Sequence, residues 1–548
     1  MRGHAAQLLA QLDGRIERLM ARQVLDECSG DYGGFMEDDL HVESRQCGFD
    51  LSALACGYVT KDSAHYLSER VKAALTAALA YLRAHQRPGG CVDLLSCNVA
   101  SAPDTAFMIN AVLNAWWLLE RCEDARAAWL RPALLRLIDS AASGIAAGGF
   151  HTPNHRWAIA ACLLHCAKIT GRRELAARAQ AYLREGLDIN EDGEFAERSA
   201  GNYNQVNDDQ MLRLYMATGD RTFLHAAEKN LEMMYCYIDP DGSVFTNNST
   251  RQDMGKKVYL DTYYPLYLMA GYFLGREDFG AMAEWIYQDC RRRGTWPDGV
   301  EWLLLLPQMD GFGAQTPFEP PFLRYDRLFE HSDIARVRRG GFSLTLMRGK
   351  PNFLYFQSGA LPLYMAIYQN LCDQRNFVPE TLERTERGFR LSGRAPVWYY
   401  QPFDQKPQTS DWWRMDNAAR ERLTAEGLHT LVEAELTEEG VRLHIRTQGV
   451  DRLPVRVEIG LLPGGRIRTQ HFTQLMRAGE QVTILDGDIE ITGPRGDALA
   501  IGPAFGSHDI RARMGGAYPL SDACYTVLLT GYTPVDRTIF IRARRIFS

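Results

Sequence analysis

The first three hundred residues carry a helical rhythm of apolar positions. Trp157, Ala160, Ala161 and Leu164 fall on one helical face, as do Met211, Leu212, Tyr215 and Met216, and then Phe223, Ala227, Leu231 and Met234. Thr170-Gly171-Arg172 and Thr218-Gly219-Asp220 interrupt the rhythm with the short glycine links that join antiparallel helices. A longer period overlies it, in which a glycine precedes an apolar or aromatic residue. It recurs at Gly33-Gly34-Phe35, Gly89-Gly90-Cys91-Val92, Gly148-Gly149-Phe150, Asp192-Gly193-Glu194-Phe195, Asp241-Gly242-Ser243-Val244-Phe245 and Asp298-Gly299-Val300-Glu301-Trp302. Successive motifs lie 45 to 59 residues apart, the length of two helices and two loops. The pattern predicts about six helical hairpins with the glycine motifs on one rim. Such an array closes into an (α/α) toroid whose rim loops line a central cleft.

After Trp302 the pattern changes. Pro307, Pro317, Pro320 and Pro321 mark a connecting segment. From about Arg336 the apolar runs are short and rich in β-formers, as in 342–346, 441–445, 455–459 and 538–541. Turn signals such as Glu439-Gly440, Pro463-Gly464-Gly465 and Gly496-Asp497 separate them. The prediction is a multidomain chain, α then β: a toroid over 1–315, then an antiparallel β-sandwich over 316–548.

Composition narrows the picture a little. The 548 residues suffice for large cores, and the formal net charge of -7 argues against a general nucleic-acid binder. Runs such as Leu303–Leu306 are too short to span a bilayer, so no membrane partner is expected. Residues 1–22 alternate apolar and charged positions without the continuous core of a signal peptide. With twelve cysteines and no Cys-x-x-Cys pair, this leads to an expectation of a reduced, cytoplasmic protein, or a periplasmic or secreted one if a leading segment has been removed.

Candidate chemistry clusters in two stretches, 151–157 (His-Thr-Pro-Asn-His-Arg-Trp) and 194–204, each at the mouth of a predicted helix. Asn154 or a neighbour would cap the helix that begins near Trp157, leaving Asn154 and His155 on the rim. Tyr203 would precede the helix around Gln210 to Tyr215, beside a turn at Gly201. The plainer readings are a capping Asn beside an exposed His, a packed tyrosine, a surface Glu197–Arg198 pair, and first-turn helix acids at Asp208-Asp209. Two more rim segments, Cys97 to Thr105 and Phe245 to Asp253, are dense in hydrogen-bonding side chains, as carbohydrate sites are. Arg251 could pair bidentately with a carboxylate. Trp116, Trp117, Tyr263 and Tyr264 could stack on sugar faces, though at least one of the two tryptophans belongs in the core.

Hairpin array, then β-sandwich, with Asn154-His155 on one rim loop and Gly201-Asn202-Tyr203 one hairpin later, resembles the heparinase II/III-like and oligoalginate-type polysaccharide lyases. The resemblance implies β-elimination at a uronic acid in an acidic polysaccharide or oligosaccharide. Asn154, with Arg251 or Arg198, would neutralise the uronate carboxylate, His155 would take the C5 proton, and Tyr203 would protonate the leaving oxygen. Asn98, Asp104, Glu197, Arg198, Asn202, Asn248, Tyr263 and Tyr264 would bind substrate. The chain departs from that family in one respect. It lacks the His-x-Asp cassette, and His429, His444, His471 and His508 are isolated in sequence, so no metal ligand is assigned, no cofactor is required, and a structural divalent metal is left open but not indicated. Two alternatives stand: a toroid glycoside hydrolase using carboxyl groups among Asp104, Glu197, Asp208 and Asp253, and a non-catalytic glycan-binding protein.

Overall fold

A computed structural model describes residues 3–544. The chain divides into two compact units, Met1–Tyr235 with Val244–Pro320, and Cys236–Ser243 with Pro321–Ser548.

Among the described residues the first unit holds twelve α-helices. They are α1 (His4–Arg22), α2 (Ser44–Val59), α3 (Glu69–His85), α4 (Ala102–Leu119), α5 (Leu130–Ala147) and α6 (Pro153–Thr170). There follow α7 (Arg173–Leu183), α8 (Tyr203–Thr218), α9 (Arg221–Tyr235), α10 (Tyr264–Leu274), α11 (Glu277–Arg293) and α12 (Val300–Leu305). Five sequential hairpins form, α2/α3 to α10/α11, and α2, α4, α6, α8 and α10 pack one on the next as an inner row. The short α12 packs against α1, α4 and α10, so a sixth pair is assembled from the two ends of the unit, α12 inside and α1 outside. Inner helices are buried on most sides, which is why α6 and α10 are apolar nearly all round, whereas the outer α9 and α11 keep one polar face.

The glycine motif has a physical cause. Gly33, Gly90 and Gly193 hold positive φ of 89°, 96° and 95°. A Cβ at these positions would meet the carbonyl oxygen of Ala77, Ser140 or Lys229, at 2.1, 1.9 and 2.5 Å. Each oxygen belongs to the next outer helix, so the loop entering each inner helix presses backbone to backbone on its neighbour. A small hairpin, β1 (Val92–Leu94) and β2 (Asn98–Ser101), lies in one such loop.

The second unit is two facing sheets. Its strands are β3 (Arg324–Phe329), β4 (Ile334–Arg339), β5 (Phe342–Met347), β6 (Leu354–Ser358), β7 (Leu361–Gln369) and β8 (Thr381–Thr385). Next come β9 (Gly388–Tyr400), β10 (Arg422–Leu436), β11 (Gly440–Gly449), β12 (Pro454–Leu461) and β13 (Arg466–Arg468). The last are β14 (Thr473–Leu475), β15 (Gln481–Thr483), β16 (Ile489–Thr492), β17 (Ala498–Gly502), β18 (Tyr525–Tyr532) and β19 (Asp536–Arg544). One sheet runs β14-β13-β16-β17-β19-β11-β10-β9-β8 and the other β15-β18-β12-β7-β6-β5-β4-β3. Ladders are antiparallel except for the short β15–β18 pair. Leu344, Phe356, Leu363 and Val457 from one sheet share a core with Leu391, Val432, Leu443 and Ile539 from the other.

The fifth glycine motif departs from the sequence reading, because its segment Cys236–Ser243 joins the sheet unit. The fully buried Arg336 explains it: its guanidinium donates to Cys236 O and to Asp239 Oδ1, both at 2.8 Å. Ser343 donates to the same Asp239 oxygen at 2.7 Å. A buried guanidinium requires such partners.

Candidate active site

The two rims of the helical unit are unlike. The links α6–α7, α8–α9 and α10–α11 are two-residue turns through Gly171, Gly219 and Gly275, all left-handed. The opposite rim carries the loops that enter α4, α6, α8 and α10, long before all but α6, so the N-termini of those inner helices sit together with the polar loop residues.

Asn154 falls in the first turn of α6, behind Pro153 and an extended Thr152. The structure does not leave it on the rim but buries it fully. Its Nδ2 donates to Glu197 Oε1 at 2.5 Å and to Thr152 Oγ1 at 3.1 Å, while its Oδ1 accepts no hydrogen bond among the described residues. Glu197 is a hub. Its other oxygen accepts from Asn207 Nδ2 at 3.5 Å, and Arg251 Nε lies 3.9 Å from Oε1. Burial raises its pKa above the ordinary carboxylate value, against the pull of Asn154 and Arg251.

Arg251 spans from this carboxylate to Tyr203. Its Nη2 donates to the Tyr203 hydroxyl at 3.3 Å, and its guanidinium carbon stands 4.6 Å from the ring centroid. Tyr203 is the first residue of α8, seven residues before the start expected near Gln210. Ser199 accepts its backbone N–H at 3.0 Å and so caps the helix. Asp253 fixes both loops, accepting from Ser199 Oγ at 2.8 Å, Gly201 N at 2.9 Å and Ser249 Oγ at 2.6 Å.

His155 stands beside this chain of contacts, in edge-to-face contact with Phe107 and His151, each at 6.0 Å. Burial, reinforced by His151 and Arg251 and opposed by Asp104, pushes its pKa down to about 4. The imidazole is therefore neutral at physiological pH.

No protein-family model matches this sequence, and no curated protein does. Solved structures do. The chondroitin AC lyase of Streptomyces coelicolor, solved with chondroitin sulphate, matches with a TM-score of 0.57 at 12% identity, over 98% of this chain and 79% of that one. Heparinase III matches at 0.55 and 11% identity, over 99% and 85%. A Paenibacillus xanthan lyase matches at 0.54 and 10% identity over 98% of this chain, which spans only 57% of that lyase. This is a heparinase/chondroitinase-like lyase fold. At these identities the likeness is one of fold.

On the lyase fold the remaining expected residues divide. Asn202 is half-buried next to Tyr203, and Asn98 is half-buried on β2. Asp104 is buried, accepting from Ser101 Oγ at 2.5 Å and from Arg45 at 3.4 Å. Asn248 donates to Glu194 at 3.0 Å, and Arg198 lies 3.6 Å from the same carboxylate. Tyr263 and Tyr264 are corrections to the sequence reading: each is 1% exposed, which removes them from sugar stacking. Tyr263 instead donates to Ala200 O at 2.6 Å and props the Tyr203 loop from within. Asp208 and Asp209 are a further correction, since α8 starts early and puts them in its second turn. Asp208 is fully buried with neither oxygen accepting a hydrogen bond among the described residues, and burial raises its pKa well above the carboxylate range. Sequence reasoning overlooked Ser199 and Asn207. Ser199 had a usable signal, a cap-type residue just ahead of a helix; a polar residue turned inward, such as Asn207, had none.

Proposed function

We propose that the protein is a polysaccharide lyase that cleaves a uronic-acid-containing glycan by β-elimination, leaving a 4,5-unsaturated uronate end. The observation that carries this reading is the Arg251 guanidinium on the Tyr203 hydroxyl, with a neutral imidazole at His155 in the first turn of α6. The lyase fold of the neighbours adds to it.

In the proposed reaction His155 accepts the C5 proton, the C5–H electrons form the C4=C5 bond, and the C4–O bond breaks toward the leaving sugar. Tyr203 donates its proton to that oxygen. Arg251 supplies positive charge to the uronate carboxylate as negative charge builds on it. Asn154 was expected in that second role, but its two amide protons are given to Glu197 and Thr152. The proposal therefore assigns carboxylate binding to Arg251, with Asn154 and Glu197 holding Arg251 in place. Proton transfer and charge stabilisation by side chains suffice, so the proposed mechanism invokes no cofactor.

The test is ultraviolet absorbance during incubation with uronate polysaccharides and their oligosaccharides. A rise from the conjugated C4=C5 unsaturation is expected. New reducing ends without absorbance would overturn elimination in favour of hydrolysis.

A further inference from the structure

The β9–β10 hairpin ends in an unusual surface. Trp413 is 90% exposed, Trp412 59%, Leu423 56% and Tyr399 53%, where large aromatic rings are ordinarily covered. The loop that carries them is built by specific contacts. Asp411 accepts the backbone N–H of Trp413 at 3.1 Å, Asp416 that of Ala419 at 3.3 Å, and Gln401 N donates to Glu421 O at 2.8 Å.

Guanidinium groups lie on the rings. Arg422, paired across from Tyr400, stands 4.5 Å over Trp398 and 5.2 Å over Tyr400. Arg420 stands 4.6 Å over Tyr400 and 5.3 Å over Phe403. Elsewhere on this sheet Arg390 and Arg446 pair with Glu433, and Arg387 and Arg442 with Glu435, while Arg542 also lies over a ring, 4.5 Å from the centroid of Phe540. Arg420 and Arg422 have no such partner among the described residues; each donates only one side-chain hydrogen bond, to Gln401 O or the Tyr400 hydroxyl. Of the four acids in the segment 398–423, Asp404, Asp411, Asp416 and Glu421, two are engaged as turn caps, Asp411 and Asp416.

We propose that this hairpin tip binds acidic glycan, stacking sugar rings on Trp412 and Trp413 and pairing their carboxylates or sulfates with Arg420 and Arg422. Stacked guanidiniums keep their in-plane donors for a planar anion, and flat exposed rings suit the C–H faces of sugars. The inference rests on the acidic-glycan reading above and adds a holding surface on the sheet unit.

The experiment is affinity electrophoresis of the full chain through gels containing alginate, chondroitin sulfate, heparin or xanthan, with neutral dextran as control. The parent and Tyr203→Phe should be retarded by an acidic glycan and not by dextran. Trp412→Ala/Trp413→Ala and Arg420→Gln/Arg422→Gln should each bind about tenfold more weakly or worse, as when an aromatic or Arg hot spot is truncated. Both double variants should keep the parent's melting temperature and its absorbance rate on the shortest cleaved oligosaccharide. Equal retardation of parent and double variants, no retardation in any acidic gel, or a loss of dimer in the tryptophan variant by ultracentrifugation would each overturn the proposal. Absorbance without tryptophan-dependent retardation removes this surface and leaves the lyase reading standing. Tryptophan-dependent retardation without absorbance does the reverse.

Discussion

The two rims of the helical unit are built from the same hairpins and could hardly differ more. One rim closes with two-residue turns through Gly171, Gly219 and Gly275, around which a Cβ would meet nothing. The other holds buried carboxylates, a neutral histidine and loops tied to one another by side chains. The short rim needs only to reverse the chain, which a left-handed glycine does at little cost. The long rim has loops enough to pass over neighbouring helices, and their polar backbone and side chains must find partners once buried. The surplus of polar groups that results is what chemistry can use.

That contrast is open to attack, and the largest effect is expected at the phenol. Tyr203→Phe should lower kcat by about 10³-fold, the loss typical of a removed general acid, with melting temperature unchanged. Near-normal turnover would move the chemistry off this residue.

Next in size are the supports beneath it. Asp253→Ala strands the Ser199 and Ser249 hydroxyls and the Gly201 N–H. A loss of about 3 kcal/mol in denaturant unfolding is expected, with activity falling alongside. A neutral result would mean that water replaces the carboxylate and that the loops are less tied than they look.

The glycine pair compares the rims directly. Gly193→Ala forces a Cβ to within 2.5 Å of Lys229 O at a φ of 95° and should cost about 3 kcal/mol. Gly219→Ala on the short rim meets open space and should cost about 1 kcal/mol, the ordinary left-handed penalty. Equal losses would erase the distinction drawn between the rims.

A further effect is in pH. His155 and His165 are both held down to about 4 by burial, from an ordinary 6.5. The folded state favours their neutral forms, so their contribution to stability is complete above 6.5 and is lost as pH falls from there toward 4. The same shift predicts that kcat/KM keeps its neutral-pH value well below 6.5 and drops only near 4. An acid limb near 6.5 would argue that His155 is not the base.

Much of this was legible in the chain. Apolar spacing at Trp157–Leu164 and Met211–Met216 marked inner helices, and the recurring glycine motif marked loops that press on backbone. The β-former runs around Phe342, Val441 and Val455 fell in β5, β11 and β12. The polar mouths of α6 and α8, with Asn154, His155 and Tyr203, and the loop holding Arg251 were also found, because polar residues crowding a helix mouth are a local signal. Their mutual arrangement was not, since Glu197 meets Asn154 only across 43 residues and Arg251 meets Tyr203 only across 48. Tyr263 and Tyr264 read as accessible aromatics in sequence, where a ring that stacks on sugar and a ring that props a loop look the same.

Periodicity and turn chemistry act over a few residues, and so helices, strands, turn glycines and the polar loops followed from the sequence by itself. Which amide protons are already spent, which carboxylates are forced toward their neutral form, and which arginines rest on rings rather than on acids were decided only by the tertiary structure. Those properties depend on burial and on partners distant in the chain, and neither exists until the helices and sheets have packed.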